Sequence, residues 1–308
     1  MASLVPRQRR EHGVLRVTIA EFAGGGVRTL AVLGSPIAHS KSPQLHAAAY
    51  RVLGLDWQYS AVEVVEGSLG AFLNTCDDSW RGLSLTMPLK LEVLPMLGSR
   101  TALVETVGAA NTVLFGADGG LHGFNTDVAG IVAAFADHGV TSLESVQILG
   151  GGATAASVLA AVAQLGATRM LVSARDPERA SALTPLAEAL GVALTIRRLG
   201  VMDRSLIVPS AVVSTLPGGS EHGMLYPEAV RQGATLLDVA YEPWPSALAT
   251  AWTAVGGTVV SGLEMLLHQA IGQVRIFVTG AEGGELPREL EVVAAMRAAV
   301  GLQAPFGL

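Results

Sequence analysis

The sequence predicts an α/β protein of two domains, the second a Rossmann-type dinucleotide-binding unit. Three observations carry this. The 308 residues suffice for two separate cores. Short apolar runs alternate with helical patterns along most of the chain, as expected for βαβ units and a largely parallel sheet. The strongest strand signal, Val146-Gln147-Ile148-Leu149, runs directly into Gly150-Gly151-Gly152-Ala153-Thr154-Ala155 and an Ala-rich helix. That is the G-x-G-x-x-A pattern in the strand, tight-turn and helix setting that dinucleotide binding requires.

Composition narrows the function. A hydrophobic fraction of 50% with 15% charged residues describes a globular chain. A net charge of −6 offers no global basic field for nucleic acid or an anionic membrane, so an anionic ligand needs a local site. No apolar run reaches the roughly 18 residues that span a bilayer. The single cysteine, Cys76, is read as a structural thiol; it excludes an internal disulfide and a Cys-based metal site, and it fits a reducing cytoplasm. Residues 1–28 hold Arg7, Arg9, Arg10 and Gly24-Gly25-Gly26 but no apolar core of a signal peptide, and they read as an extension to the fold.

In chain order, Leu30 to Gly34 reads as a strand, and Pro43 opens a helix that runs to about Gly54. Between them Ser40 and Ser42 present two hydroxyls before a helix, suited to a carboxylate or diol and equally to ordinary capping. Trp57 to Val65 reads as a strand, Gly67 to Thr75 as a helix, and Arg81 to Thr86 as a strand entering a helix that Pro88 begins. Lys90 then falls in a first turn. It is one of only two lysines against eighteen arginines. Unlike guanidinium, an ammonium can release a proton near neutral pH when its surroundings favour the neutral form, so Lys90 is a candidate proton-transfer residue. Gly108 to Phe115 reads as a strand containing Asn111 and Thr112; a turn at Asp118-Gly119-Gly120 follows. Asp127 precedes an apolar helix to about Asp137, where capping is its simplest role.

The strand after the glycines, Arg169 to Ser173, selects the dinucleotide. An acid at its end would hold a ribose 2′-hydroxyl, and arginine a 2′-phosphate. Here Ala174 is followed by Arg175, with Arg179 four positions on, which favours NADP. Asp176 fits either a ribose hydroxyl or a cap ahead of Pro177. Ala211 to Thr215 and Ala234 to Ala240 read as further strands, the latter ending near Tyr241 at the carboxyl edge where ligands bind in such sheets. Gly257 to Val260 leads through Gly262 into a long helix carrying Met265 and His268, read as packing residues, and Gln269. A last helix covers about Pro287 to Val300.

Taken together, Gly34-Ser35-Pro36-Ile37-Ala38-His39-Ser40-Lys41-Ser42-Pro43, Thr86-Met87-Pro88-Leu89-Lys90, Ala110-Asn111-Thr112, Asn125-Thr126-Asp127, the Gly150 loop and Gly262-Leu263-Glu264-Met265-Leu266-Leu267-His268-Gln269 resemble the shikimate dehydrogenase family from Leu30 to Val300. The Tyr241-Glu242-Pro243-Trp244-Pro245 segment looks most like actinobacterial members. The resemblance implies a substrate-binding domain over residues 29–126, to which helices within 263–308 return, and an NADP-binding domain over 127–262. It implies NADPH-dependent, reversible reduction of 3-dehydroshikimate to shikimate. Lys90 and Asp127 would be the catalytic pair. Ser40 and Ser42 would bind the carboxylate, and Thr86, Asn111 and Gln269 the hydroxyls. Tyr241, on the substrate, and Gly262, on the cofactor, would line the cleft near nicotinamide and substrate. Gly150, Gly151, Gly152, Ala153, Thr154 and Ala155 would cradle the pyrophosphate, and Ala174, Arg175 and Arg179 would border the 2′-phosphate. No metal is implied, and the chain would act as a cytoplasmic monomer or homodimer. Ser84, Ala174 and Asp176 depart from the residues common at those places. A quinate/shikimate dehydrogenase using NAD and a catalytically silent ligand sensor are the alternatives.

Overall fold

A computed structural model of the chain describes residues 27–200, 208–220 and 224–303. The extension expected over residues 1–28 lies outside them, apart from Val27 and Arg28. Among the described residues no helix is long and apolar enough to cross a membrane.

The apolar runs identified above become the strands of two six-stranded sheets. The first contains β1 (Arg28–Gly34), β2 (Trp57–Glu63), β3 (Trp80–Leu85), β4 (Ser99–Arg100), β5 (Thr112–Phe115) and β6 (Leu121–Phe124), in the order β2-β1-β3-β5-β6-β4. Only β5 runs against the others. It meets β6 through a tight turn with Gly119 at φ 78°, a left-handed position that glycine takes without steric cost. Helices α1 (Ser42–Leu53), α2 (Leu69–Leu73), α3 (Leu89–Glu92) and α4 (Ala102–Val107) connect these strands.

Helix α5 (Asp127–Asp137) carries the chain to the second sheet. There follow β7 (Ser145–Leu149), α6 (Ala153–Gln164), β8 (Arg169–Ala174), α7 (Pro177–Ala180), α8 (Thr184–Ala189), β9 (Ala193–Arg198), β10 (Ala211–Ser214), α9 (Glu228–Gly233), β11 (Thr235–Asp238), α10 (Ala247–Thr253) and β12 (Val259–Ser261). All pairings are parallel, in the order β12-β11-β10-β7-β8-β9. The order reverses between β7 and β10, the switch point where a crevice opens at the carboxyl ends of such sheets.

Helices α11 (Gly262–Thr279) and α12 (Glu289–Ala299) return to the first sheet. Their apolar faces, among them Ile271, Val274, Phe277, Val292 and Met296, form one buried cluster with Leu45, Ala49 and Tyr50 of α1. Close approach of α11 to the sheet depends on Gly82, where a Cβ would stand 2.3 Å from the Phe277 ring.

Several elements differ from expectation. Strands β4, β6 and β9 and helices α4, α8, α9 and α10 have no counterpart in the sequence reading. β6 is Leu-His-Gly-Phe and β9 is a half-exposed edge strand ending in two arginines, so neither gives the apolar contrast that marks a strand. The helix expected over Gly67–Thr75 shortens to Leu69–Leu73. Pro88 precedes the helix instead of opening it, and α3 is a single turn that passes into a 3-10 turn at Leu94–Met96. One turn sums few peptide dipoles. A helix dipole therefore adds little at Lys90, and its environment is set by side chains.

Candidate active site

The carboxyl ends of β1 and β3 are drawn together because residue 34 lacks a side chain. A Cβ on Gly34 would meet Thr86 Cγ2 at 2.3 Å and the Met87 carbonyl at 2.8 Å. The serine loop after β1 and the Thr86–Lys90 loop after β3 can then exchange backbone hydrogen bonds, Ser35 N–H to Met87 O at 2.9 Å and Thr86 N–H to Leu33 O at 2.9 Å. The Lys90 carbonyl accepts from the Ala110 N–H at 3.0 Å, which anchors the Lys90 turn beside Asn111.

At this edge the buried Lys90 ammonium donates to Asp127 Oδ2 at 2.5 Å. Asp127 Oδ1 accepts from Asn111 Nδ2 at 2.9 Å. Asp127 is free for this task because Asn125 does the capping: its Oδ1 accepts from the backbone N–H groups of Asp127 and Val128. The capping role considered for Asp127 is thus held by its neighbour. Asn111 Nδ2 also reaches Thr126 Oγ1 at 2.9 Å and Gln269 Oε1 at 3.3 Å. Gln269 comes this close because α5 presents Gly130, where a Cβ would stand 2.9 Å from the Gln269 backbone nitrogen. Four predicted residues, Lys90, Asp127, Asn111 and Gln269, therefore form one buried polar group.

The remaining predicted substrate residues lie on the loops that follow β1, β3 and β11 and at the start of α1. Ser40 accepts from the Ser42 N–H at 3.3 Å, Ser42 is buried, and Thr86 is half-buried. Tyr241, from the loop after β11, faces the Ser40 side chain and the Lys41 backbone. Burial pushes its phenol upward, and those two groups pull it partly back.

Behind this group lies a second network that the sequence reading missed. Tyr59 donates to Ser84 Oγ at 2.6 Å, and Ser84 donates to Gln273 Oε1 at 2.9 Å. Gln273 Nε2 donates to Asn111 O at 3.3 Å and to Thr112 Oγ1 at 3.2 Å. His46 contacts Gln273 Oε1 through Nε2 at 3.3 Å, and its Nδ1 contacts the Tyr50 hydroxyl at 3.0 Å. Because Gln273 Oε1 can only accept, Nε2 carries the proton and Nδ1 accepts from Tyr50. One signal could have revealed this layer: Gln273 lies four residues after Gln269, on the same helix face.

Burial lowers His46 from 6.5 to about 3, opposed in part by the Gln273 hydrogen bond. The folded ring is neutral, whereas in the unfolded chain it protonates near its ordinary value. The unfolded state therefore binds more protons between those values, and this contribution to stability is lost as pH falls from about 6.5 toward 3. Urea denaturation should show the wild type losing roughly 1–2 kcal/mol more than His46→Gln between pH 7 and pH 5. Equal losses would remove His46 as the source.

On the second sheet, the turn after β7 fits a dinucleotide pyrophosphate. Gly150 has φ 105°, and a Cβ there would stand 2.3 Å from Thr215 Oγ1; at Gly151 it would stand 2.7 Å from Ala180 Cβ. Gly152 faces open space, and no side chain caps the α6 N-terminus that begins at Ala153, Thr154 and Ala155. The backbone donors of that first turn are thus available to an anion. Ala174 is buried, while Arg175 and Arg179 are exposed just beyond it. Asp176 Oδ1 accepts from the N–H groups of Glu178 and Arg179, both at 3.1 Å, so it caps α7. Gly262 is buried where a Cβ would stand 2.1 Å from the Val239 carbonyl, so backbone packing requires it. A cavity of about 680 Å³ beside Leu216, Tyr226 and Trp252 does not reach Lys90 or Asp127.

His268, expected to pack, instead contacts Asp137 at 2.9 Å. Asp137, Glu264 and His268 converge, but the Arg297 guanidinium donates to Asp137 at 3.0 Å and Glu264 at 3.3 Å, supplying the cation that this cluster needs.

A parallel sheet with an uncapped glycine turn, joined to a mixed sheet whose carboxyl edge holds a buried Lys-Asp pair, defines a two-domain α/β protein of the dinucleotide-binding class. Residues 32–113 match the family model of the shikimate dehydrogenase substrate binding domain. A shikimate dehydrogenase (NADP(+)) of a Synechococcus strain is 33% identical over 272 residues, which cover 83% of this chain and 90% of that protein. The crystal structure of a shikimate 5-dehydrogenase from Mycobacterium fortuitum is 37% identical, with a TM-score of 0.71 over 89% of this chain and 98% of that one. The Thermus thermophilus enzyme, solved in complex with NADP(H) and shikimate, is 30% identical, with a TM-score of 0.72 over 88% and 99%. The chain belongs to the shikimate dehydrogenase family.

Proposed function

We propose that the chain catalyses the reversible, NADPH-dependent reduction of 3-dehydroshikimate to shikimate. The observation that carries this reading is the buried Lys90–Asp127 pair, with Asn111 and Gln269 around it. NADPH, when bound, supplies the hydride. Ser40 and Ser42 hold the substrate carboxylate, and Thr86, Asn111 and Gln269 hold ring hydroxyls. As negative charge develops on the ketone oxygen, the Lys90 ammonium stabilises it and gives up one proton to it, which solvent later restores. Asp127 keeps the Lys90 Nζ oriented, while Asn111 fixes Asp127 from its other oxygen. Gly150 to Ala155 hold the pyrophosphate on backbone N–H groups, and Arg175 and Arg179 hold the 2′-phosphate. We take residues 29–126 with the returning helices as the substrate domain and 127–262 as the cofactor domain. The same reading has the chain at work in the cytoplasm as a monomer or homodimer.

The test is a spectrophotometric assay of NADPH oxidation with 3-dehydroshikimate. Absence of turnover would support a ligand sensor, and a higher kcat/KM for quinate with NAD would overturn the substrate assignment. Arg175→Ala should raise the KM for NADPH roughly tenfold and leave that for NADH nearly unchanged. Equal effects on the two would argue against a phosphate contact.

A further inference from the structure

The 2′-phosphate assignment above uses only the strand after the glycine turn and its helix. The sheet adds a third strand end to the same place. β9 is the edge strand, parallel to β8, and its last residue, Arg198, pairs in register with Ala174, the residue before Arg175. Neighbouring strands stand about 4.8 Å apart, so the ends of β7, β8 and β9 present the glycine turn, Arg175 and Arg198 in succession along one edge. A dinucleotide whose pyrophosphate sits on the turn after β7 carries its adenosine ribose toward the end of β8. A group on the ribose 2′ position would meet the residues at the end of β8, beside which the end of β9 stands.

The side chain is prepared for this. Arg198 Nη1 donates to the Arg175 carbonyl at 3.1 Å, which ties the exposed guanidinium to the β8 tip. That bond uses one of five N–H donors. Among the described residues, Arg175, Arg179 and Arg198 form no ion pair with any carboxylate, and the nearby Asp176 uses Oδ1 to cap α7. Three cations gathered at one edge, none of them held in an ion pair among the described residues, suit an anion of charge near −2, which is what a phosphate monoester carries.

We propose that Arg198 is a further specificity-determining residue that contacts the 2′-phosphate of NADPH directly, beside Arg175 and Arg179. The proposal rests on the NADPH reading and extends it to a strand that the usual fingerprint does not include. Calorimetric titration with 2′,5′-ADP and with 5′-AMP separates the two. In Arg198→Ala, binding of 2′,5′-ADP should weaken about tenfold while binding of 5′-AMP stays within twofold, since only the former carries the 2′-phosphate. The loss should persist when Arg198→Ala is added to Arg175→Ala. Unchanged 2′,5′-ADP binding would overturn the proposal. So would a loss that vanishes in the Arg175→Ala background, because Arg198 would then act only by propping the Arg175 backbone. A wild-type chain that binds 5′-AMP as tightly as 2′,5′-ADP would instead overturn the NADPH reading itself.

Discussion

Lys90→Met should lower kcat by about 10² or more and leave the KM for 3-dehydroshikimate within a few-fold. The ketone is neutral when it binds and becomes negative at oxygen only as reduction proceeds, so a cation beside that oxygen stabilises the transition state more than the ground state. The substrate is held elsewhere, at Ser40, Ser42, Thr86, Asn111 and Gln269, so losing Lys90 should cost little binding. Methionine keeps much of the length and apolar volume of the lysine stem, and Asp127 retains its hydrogen bond from Asn111. Steady-state kinetics would check this. Near-normal turnover by Lys90→Met would refute the catalytic assignment, and a large rise in KM with unchanged kcat would recast Lys90 as a binding residue.

Several parts of this site that were legible in the sequence share one property: they sit where the chain must break its regular pattern. The glycine run after β7, the serines where α1 starts and Asn125-Thr126-Asp127 where α5 starts are all loop-to-helix junctions. Polar residues there interrupt an apolar rhythm and stand out. The layer behind them did not. His46, Tyr59, Ser84 and Gln273 lie inside helices and strands, where an isolated polar residue in an amphipathic pattern looks like a solvent-facing one until tertiary contacts turn it inward. Arg198 was hidden for a related reason. An edge strand that alternates half-exposed residues and ends in two arginines carries little period-2 contrast, and only its pairing with β8 brings Arg198 beside Arg175. Local propensity also overstated one element. Pro88 ahead of Leu89 suggests a helix start, but the turn ends at Glu92, whose carboxylate is drawn away to the N–H groups of Gly67 and Leu69.

The energetic cost of the Lys90–Asp127 pair gives the second large expected effect. Both groups are almost fully buried. Two ions in such a place are tolerated only because they face each other, and removing one leaves the other desolvated and uncompensated, at a cost of about 3–5 kcal/mol. Asp127→Leu should therefore destabilise the fold by about that amount, since Lys90 loses its only carboxylate among the described residues. Lys90→Met should cost less, because Asp127 keeps the Asn111 donor. Combining Lys90→Met with Asp127→Leu removes both charges and replaces them with side chains of similar shape. Asn111 Nδ2 still reaches Thr126 Oγ1 and Gln269 Oε1. The double variant should recover stability to within about 1–2 kcal/mol of the wild type, well above Asp127→Leu alone, while its turnover stays at or below that of Lys90→Met. Urea denaturation at one pH, paired with the NADPH assay, measures both quantities on the same samples. A double variant no more stable than Asp127→Leu would mean that the pair is not held by mutual charge compensation. One that regained turnover would place the proton transfer somewhere other than Lys90. Recovery of stability without recovery of activity is the outcome that separates what the pair costs the fold from what it does for the reaction.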